Sequence, residues 1–309
     1  MNDLELRALV ERMVKEYVGE APTPQVKAAD YRPLESVRTD GGEACATASG
    51  EMLPDLSAVD LRKLYLVKNP KNGPAYLELK SRTPARIGFG RAGARYKTET
   101  MLRMRADHAA AQDSVFSHVD EDWVKQQGWT FSQTLCKDKD EYLTRPDKGR
   151  RFDEENAAVV KQTLGQTPKV ALVVGDGLSS AAIEANAADC MQAILAGLKS
   201  YGIPATPVLY VKYCRVGASD HIGELTGAEV VCMLVGERPG LVTAESMSAY
   251  ITYGARIGVP ESQRTVISNI HRQGTPAVEA GAHIAELIKT MLEKKASGVK
   301  LAQMQRGMG

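Results

Sequence analysis

Between Lys169 and Ile203 the chain passes from an apolar run to a glycine turn and then to a long amphipathic segment. Val170, Ala171, Leu172, Val173 and Val174 form an unbroken run of β-branched bias, which predicts a parallel strand buried on both faces. Gly175-Asp176-Gly177 ends it, and Ile183, Ala187, Cys190, Met191, Ile194, Leu195 and Leu198 then fall at helical spacing. Ser179 or Ser180 is available as the N-cap, and Gly202 stands near the exit. The same rhythm continues to the end of the chain. It predicts strands over 207–213, 229–235 and 264–270, and helices over 219–226, 244–253 and 276–295. Residues 153–309 therefore read as a Rossmann-like, doubly wound α/β domain with a mostly parallel sheet, opened by a helix over 153–162.

The preceding stretch, 54–152, has helical segments broken by Pro and Gly and reads as a smaller, mostly helical subdomain. Its best helix is Thr98 to Val119, with Met101, Leu102, Met104, Ala109, Val115 and Phe116 as core candidates and Arg103, Arg105 and His108 on other faces. Residues 1–53 open with Leu4, Leu6, Leu9, Val10, Met13, Val14, Tyr17 and Val18 among Glu, Arg and Lys, an amphipathic helix of about five turns. A polar linker to about residue 53 follows. That helix either docks on its own domain or is tethered for a partner surface.

Where the strands end, the chemistry gathers. Gly175-Asp176-Gly177, Cys214-Arg215-Val216, Gly236-Glu237-Arg238-Pro239-Gly240 and Asn269-Ile270-His271 are polar or glycine-rich, and parallel strands place such turns along one edge. The glycine turn serves either as a phosphate cradle or as a tight connection that needs small residues. It lacks the third glycine of a dinucleotide fingerprint, at Ser180, and the acidic residue at the end of the next strand, near Tyr213 and Cys214. Glu237 and His271 could form an acid/base pair, with no nucleophile or orienting group beside them. No serine-hydrolase elbow, zinc-protease motif, Walker lysine or kinase set is present. Two basic clusters remain: the glycine-rich Arg86–Arg95 loop, suited to an anion, an amide or a partner's carboxylate, and Tyr142–Arg151, which stands where it could cap the next helix.

Charge narrows the partners. Lys plus Arg number 39 against 38 for Asp plus Glu, so nothing global steers the chain to nucleic acid or membrane. The 5 cysteines (Cys45, Cys136, Cys190, Cys214, Cys232) are scattered without CxxC spacing, which reads as reduced cytoplasmic thiols rather than disulfides or a metal site. No stretch has the length of a transmembrane span and no signal peptide is evident.

GlyArgAlaGly (90–93), TyrLeuThrArgProAsp (142–147), GlyAspGlyLeuSer (175–179), LeuValGlyGluArgProGlyLeu (234–241), IleSerAsnIleHis (267–271) and GlyThrPro (274–276) stand in an order and spacing that resembles the small, or light, subunit of ethanolamine ammonia-lyase. The resemblance runs from about Pro54 to Leu301. It implies an adenosylcobalamin-dependent carbon–nitrogen lyase that converts ethanolamine to acetaldehyde and ammonia, with its catalytic residues on a large TIM-barrel subunit. The small subunit is implied to close over the coenzyme at the interface, in a hetero-oligomer of about six copies of each chain. The coenzyme contacts it implies fall on Val216, Glu237 and Val266. Relatives can carry cysteine at the last of these, so any contact from Val266 is made by backbone or isopropyl group. Asp220-His221-Ile222-Gly223 lacks the order and spacing of the motif that puts histidine on cobalt, so the coenzyme is expected base-on. A bacterial microcompartment, reached through the N-terminal helix, is the implied location. The reading from another class is a stand-alone Rossmann-type nucleotide-binding oxidoreductase, which would bind NAD(P) by itself.

Overall fold

The computed structural model of the chain describes residues 59–67 and 69–307. Contacts divide the chain into Met1–Leu53 and Pro54–Gly309, and the second unit is described below. The predicted N-terminal helix and its linker lie outside the described residues.

The unit is α/β, built on a mixed six-stranded sheet. Its strands are β3 (Thr130–Gln133), β4 (Val170–Gly175), β5 (Ala205–Lys212), β6 (Val230–Gly236), β7 (Met247–Tyr253) and β8 (Arg264–Ile270), in the order β3-β5-β4-β6-β7-β8. A small antiparallel hairpin, β1 (Arg91–Ala92) with β2 (Arg95–Tyr96), lies apart from it. The helices are α1 (Gly73–Ser81), α2 (Thr98–Phe116), α3 (Glu121–Gln126), α4 (Lys139–Thr144), α5 (Glu154–Leu164), α6 (Ser180–Ser200), α7 (Ala218–Thr226), α8 (Ala277–Lys294) and α9 (Gly298–Gln305). The pairs β3–β5, β5–β4 and β4–β6 are parallel, whereas β7 is antiparallel to both β6 and β8. Every strand except β7 therefore points the same way, and β8 shares its carboxyl edge with β4, β5 and β6.

Period-two alternation of side chains sorts the core into two layers. Val170, Leu172 and Val174 join the inner faces of α6 and α8, while Ala171 and Val173 join those of α5 and α7. Ser179 caps α6, its side chain accepting from the Ala182 N–H, and Asp153 caps α5 by accepting from the Asn156 N–H. The Tyr142–Arg151 cluster therefore does not supply the cap of α5.

Two predicted features are corrected. Residues 244–253 are not a helix: Tyr250, Ile251, Thr252 and Tyr253 are aromatic or β-branched, favour a pleated surface, and build β7 on the free edge of β6. Within the stretch 54–152, Thr130–Gln133 supplies the edge strand β3 of the main sheet, with Thr130 opposite Leu209. The inward face of α2 is polar rather than apolar. Thr100, Asp107 and Ser114, seven residues apart, are its buried positions, whereas Met101, Leu102 and Phe116 are exposed. Asp107 accepts from Arg103 at 2.8 Å and from Arg86 at 2.6 Å, and the Ser114 and Ser179 hydroxyls meet at 3.1 Å. Buried hydrogen bonds thus take the place of the apolar stripe.

Candidate functional site

Chain order reverses at β4: β5 lies on one side of it and β6 on the other, a topological switch of the kind that opens a crevice at the carboxyl ends. Here that crevice is closed by packing. A Cβ on Gly177 would come within 2.8 Å of Val235 Cγ1, and one on Gly236 would overlap the Ser179 carbonyl oxygen. Two amides of the turn are taken up within the chain: Asp176 N–H donates to Val211 O at 2.9 Å and Leu178 N–H to Gly236 O at 3.2 Å. Asp176 itself is buried, accepting from Ser180 Oγ at 2.8 Å and Tyr210 Oη at 3.1 Å. Lys139 Nζ donates to Gly177 O at 3.1 Å, and burial holds this ammonium's pKa below the ordinary lysine value against the pull of Asp176. The glycine turn is therefore the tight connection and not a phosphate cradle, which removes the structural basis for a dinucleotide site.

The open ground lies one strand over, on β6, β7 and β8. Glu237 follows β6 directly, its N–H bonded to Ser246 O at 2.9 Å, and its Oε1 accepts from Tyr250 Oη at 2.7 Å. Burial, then the hydrogen bond to Glu237, raise the pKa of the Tyr250 hydroxyl, so Tyr250 keeps its proton and is the donor of this bond. Among the described residues the second oxygen, Oε2, has no partner. Across the β7–β8 ladder Tyr250 stands opposite Val266, and paired residues project from one face of a sheet. Val266 is 44% exposed there, so this corner of the face is open.

Beside it the ladder is irregular. Met247 pairs with Ile270 and Ala249 with Ile267, so β8 carries an extra residue opposite Ser248, and Asn269 takes a left-handed φ of 58°. A cavity of about 370 Å³ opens at the bulge, lined by Glu237, Ser248, Ser268, Asn269 and His271 and roofed by the 238–246 loop. Ser248 is fully buried and its Oγ has no hydrogen-bond partner. A second cavity, about 650 Å³, shares the loop and His271 as a wall and reaches toward α2. Its polar lining includes Arg86, Arg103 and Asp107, which are already paired with one another.

The structure thus brings Glu237 and Val266 together through Tyr250. Val216 reaches the same side of the sheet at the start of α7, whose Asp220 takes a bidentate pair from Arg264, two residues before Val266. The neighbouring Arg215 is occupied within the chain, donating to Tyr142 O at 2.6 Å and stacking on the Tyr142 ring. His271 lines the cavity with Glu237, but its Nδ1 accepts from the Gln273 N–H, and the two do not form an acid/base pair. His221 Nδ1 accepts from the Phe152 N–H. In the basic glycine loop, Arg86 is bound to Asp107 and to Leu241 O, Arg91 lies over Tyr96, and Arg95 pairs through its backbone with Ala92 in the hairpin. Ser248 carried no sequence signal, since an isolated serine in a strand belongs to no motif.

The described unit is thus an α/β fold with a polar site, Glu237 and Tyr250 beside Val266, on one face of a mixed sheet. The sequence model of a family described as the ethanolamine ammonia-lyase light chain matches residues 74–302. The chain is 60% identical to the ethanolamine ammonia-lyase small subunit of Clostridioides difficile over 301 residues, 97% of this chain and 100% of that one. It is 58% identical to the protein of the same name from Lachnoclostridium phytofermentans over 97% of this chain and 99% of that one. The corresponding Listeria monocytogenes serotype 4a protein is 55% identical over 97% of this chain and 100% of that one. The chain belongs to the ethanolamine ammonia-lyase small-subunit family.

Proposed function

We propose that this chain is the small subunit of an adenosylcobalamin-dependent ethanolamine ammonia-lyase, which converts ethanolamine to acetaldehyde and ammonia and carries its catalytic residues on a large barrel subunit. The observation that carries the reading is the half-satisfied corner of the β7–β8 face, where exposed Val266, the free Glu237 Oε2 and the unpartnered Ser248 hydroxyl lie together. These groups fit the edge of a corrin, an apolar macrocycle rimmed by amides: the isopropyl group covers carbon surface while the carboxylate accepts N–H donors. When bound, adenosylcobalamin supplies the radical-initiating chemistry. The work of this chain is to hold the coenzyme through Val216, Glu237 and Val266 and to exclude water.

The fold is read here as Rossmann-like and doubly wound, on the strand order β5-β4-β6 and the helices on both faces, with the β6–β8 side adapted to a larger ligand. The coenzyme keeps its own benzimidazole on cobalt, in keeping with a His221 that is committed to Phe152. The exposed apolar side of α2 and the coenzyme corner would face the large subunit. Residues 1–20 act as a tether to a microcompartment shell within the cytoplasm, and their deletion should abolish co-sedimentation with shells while sparing turnover.

Co-expression with a large subunit, followed by a visible spectrum after adding adenosylcobalamin, tests the central reading. The small subunit alone should show no turnover, and the mixture should gain both coenzyme binding and activity. A large subunit whose coenzyme affinity is unchanged by this chain would overturn it.

A further inference from the structure

We propose that Ser219 and Arg264 are positioning residues for the coenzyme, a relay of hydrogen bonds that fixes the Val216 carbonyl against the strand that carries Val266. The inference rests on the coenzyme reading, which places both valines against the ligand. Val216 stands just before α7 and Val266 on β8, far apart in the chain, yet the path between them in space is short. Arg264 Nη1 donates to Ser219 Oγ at 3.3 Å, and Ser219 Oγ donates in turn to Val216 O at 2.7 Å. The Ser219 N–H reaches the same carbonyl at 3.0 Å, so the Val216 peptide is held by two atoms of one buried residue. Arg264 and Val266, two positions apart on β8, project from one face of the sheet. The ladder is regular between them: Thr252 pairs with Arg264, Ile251 with Thr265 and Tyr250 with Val266, and the bulge begins only beyond Ile267.

What the relay adds is geometry rather than adhesion. Arg264 is buried, and each of its side-chain nitrogens has an acceptor: Nη1 and Nη2 take the two Asp220 oxygens at 2.7 Å each, and Nε takes Glu261 Oε2 at 2.6 Å. Apolar side chains of similar volume would hold β8 against α7 without the cost of burying two charges. A guanidinium fork instead fixes distance and direction together, because its donors lie in one plane. Asp220 orients the fork, and the fork presents Nη1 to Ser219. The turn before α7 has other anchors, Arg215 N–H to Gly149 O at 2.9 Å and Ala218 N–H to Arg215 O at 2.8 Å, and neither refers to β8. Among the hydrogen bonds of the described residues, those of Arg264 are what tie the start of α7 to the strand of Val266. A ligand that touches both valines therefore meets a gap whose width is set before it arrives, and such pre-organisation is returned as affinity.

The test uses small subunits assembled with the large subunit and titrated with adenosylcobalamin by visible difference spectra. Ser219→Ala should weaken binding about threefold to tenfold, the range of one neutral hydrogen bond, with the loss appearing in the KM for coenzyme rather than in kcat. Arg264→Lys, which keeps the charge and loses the fork, should weaken it at least as much; should that variant fail to assemble, Ser219→Ala decides alone. Thr226→Ala is the control for a merely structural role. It also deletes a buried hydroxyl bonded to a carbonyl of α7, Ile222 O at 2.8 Å, but at the other end of the helix. It should lower the melting temperature and leave coenzyme affinity unchanged. In the coenzyme-free complex, hydrogen exchange over 216–219 should quicken in Ser219→Ala and not in Thr226→Ala. A Ser219→Ala complex of wild-type affinity or wild-type exchange, or a Thr226→Ala complex weakened equally, would overturn the relay. The coenzyme reading would then still stand, as long as the wild-type chain raises the complex's affinity for adenosylcobalamin. Should the wild-type chain add no affinity, that reading fails and the relay with it.

Discussion

Arg264 and Asp220 are joined by two parallel hydrogen bonds of 2.7 Å each, which tie the first residue of β8 to the first turn of α7. The Arg264 side chain is 2% exposed and is also held by Glu261, itself 79% exposed. Hydrogen bonding to Asp220, the largest effect, raises the guanidinium's pKa above its already high ordinary value, so its charge is constant at working pH. The pair links the elements that carry Val216 and Val266. Asp220→Ala leaves the buried cation to the solvent-exposed Glu261 and should cost about 3 kcal/mol, the low end for breaking a buried pair. Glu261→Ala removes a solvent-screened partner and should cost about 1 kcal/mol or less. Urea unfolding of the two variants checks the contrast, and equal losses would contradict it.

Histidine gives the fold a dependence on pH. Burial, with Arg151 adding to it, holds the His221 imidazole below its ordinary value of 6.5, and burial lowers His118 as well. As pH falls through about 6.5 the unfolded chain takes up these protons first, so it binds more protons than the native state and stability falls. Above about 6.5 both states are neutral and the contribution is at its full value. It is lost downward, toward the folded pKa, and then levels off. His221→Asn keeps an acceptor for the Phe152 N–H and removes the titration, so melting temperature against pH should be flatter on the acid side.

The glycines at the strand ends act through close approach. A Cβ on Gly236 would strike the Ser179 carbonyl, a backbone atom that cannot swing away, and one on Gly177 would press on Val235. Each Ala substitution should destabilise by about 1–3 kcal/mol, the usual cost of overpacking, with Gly236→Ala the larger. Thermal melts of the two variants decide this. Wild-type stability in both would mean that the crevice between β4 and β6 is roomier than the packing allows.

How far the sequence foretold this structure depends on which physical signal each element carries. β4 and β6 are buried on both faces and read as apolar runs, and α6 and α8 carry regular apolar stripes, so propensity and burial agree. β3 is four residues long, too short for a period to register, and it depends on β5 for its existence. β7 failed because its small residues, Ser248 and Ala249, dilute the strand signal at its start. In α2 the ion pairs of Asp107 face inward, an inversion that no hydrophobic pattern contains. Glu237 was legible as a strand-end carboxylate because the apolar run of β6 stops directly before it, whereas its hydrogen bond to Tyr250 was hidden with β7. Ser248 was not legible, because what sets it apart is an empty hydrogen-bond position created by a bulge in another strand.

Arg86 connects parts of the chain far apart in sequence. Its guanidinium reaches Asp107 on α2 and Leu241 O at the tip of the loop that roofs the bulge cavity. Arg86→Ala should free that loop and lower melting temperature, whereas Arg91→Ala, which loses only exposed contacts with Tyr96 and the Ala94 carbonyl, should leave it unchanged. Faster hydrogen exchange over 238–246 in the Arg86 variant alone would confirm the connection. Equal exchange in both variants would refute it.

Glu237 distinguishes binding from chemistry. Its Oε1 is oriented by Tyr250, a donor anchored on β7, so the carboxylate is held in place before any ligand arrives. A hydrogen bond to an ionised acceptor contributes roughly 1.5 to 3 kcal/mol, about a ten- to hundredfold change in dissociation constant. Glu237→Ala in the assembled complex should weaken coenzyme binding by up to that range, and Glu237→Gln, which keeps shape and one acceptor, by less. Tyr250→Phe leaves the carboxylate charged but unaimed and should fall between wild type and Glu237→Ala. Assembly with the large subunit should survive in all three variants. A general base would behave differently, because Gln and Ala would then bind coenzyme normally and lose turnover at saturation. Coenzyme titration with turnover measured at each point separates the two roles, and an Ala variant with unchanged affinity would rule out the contact.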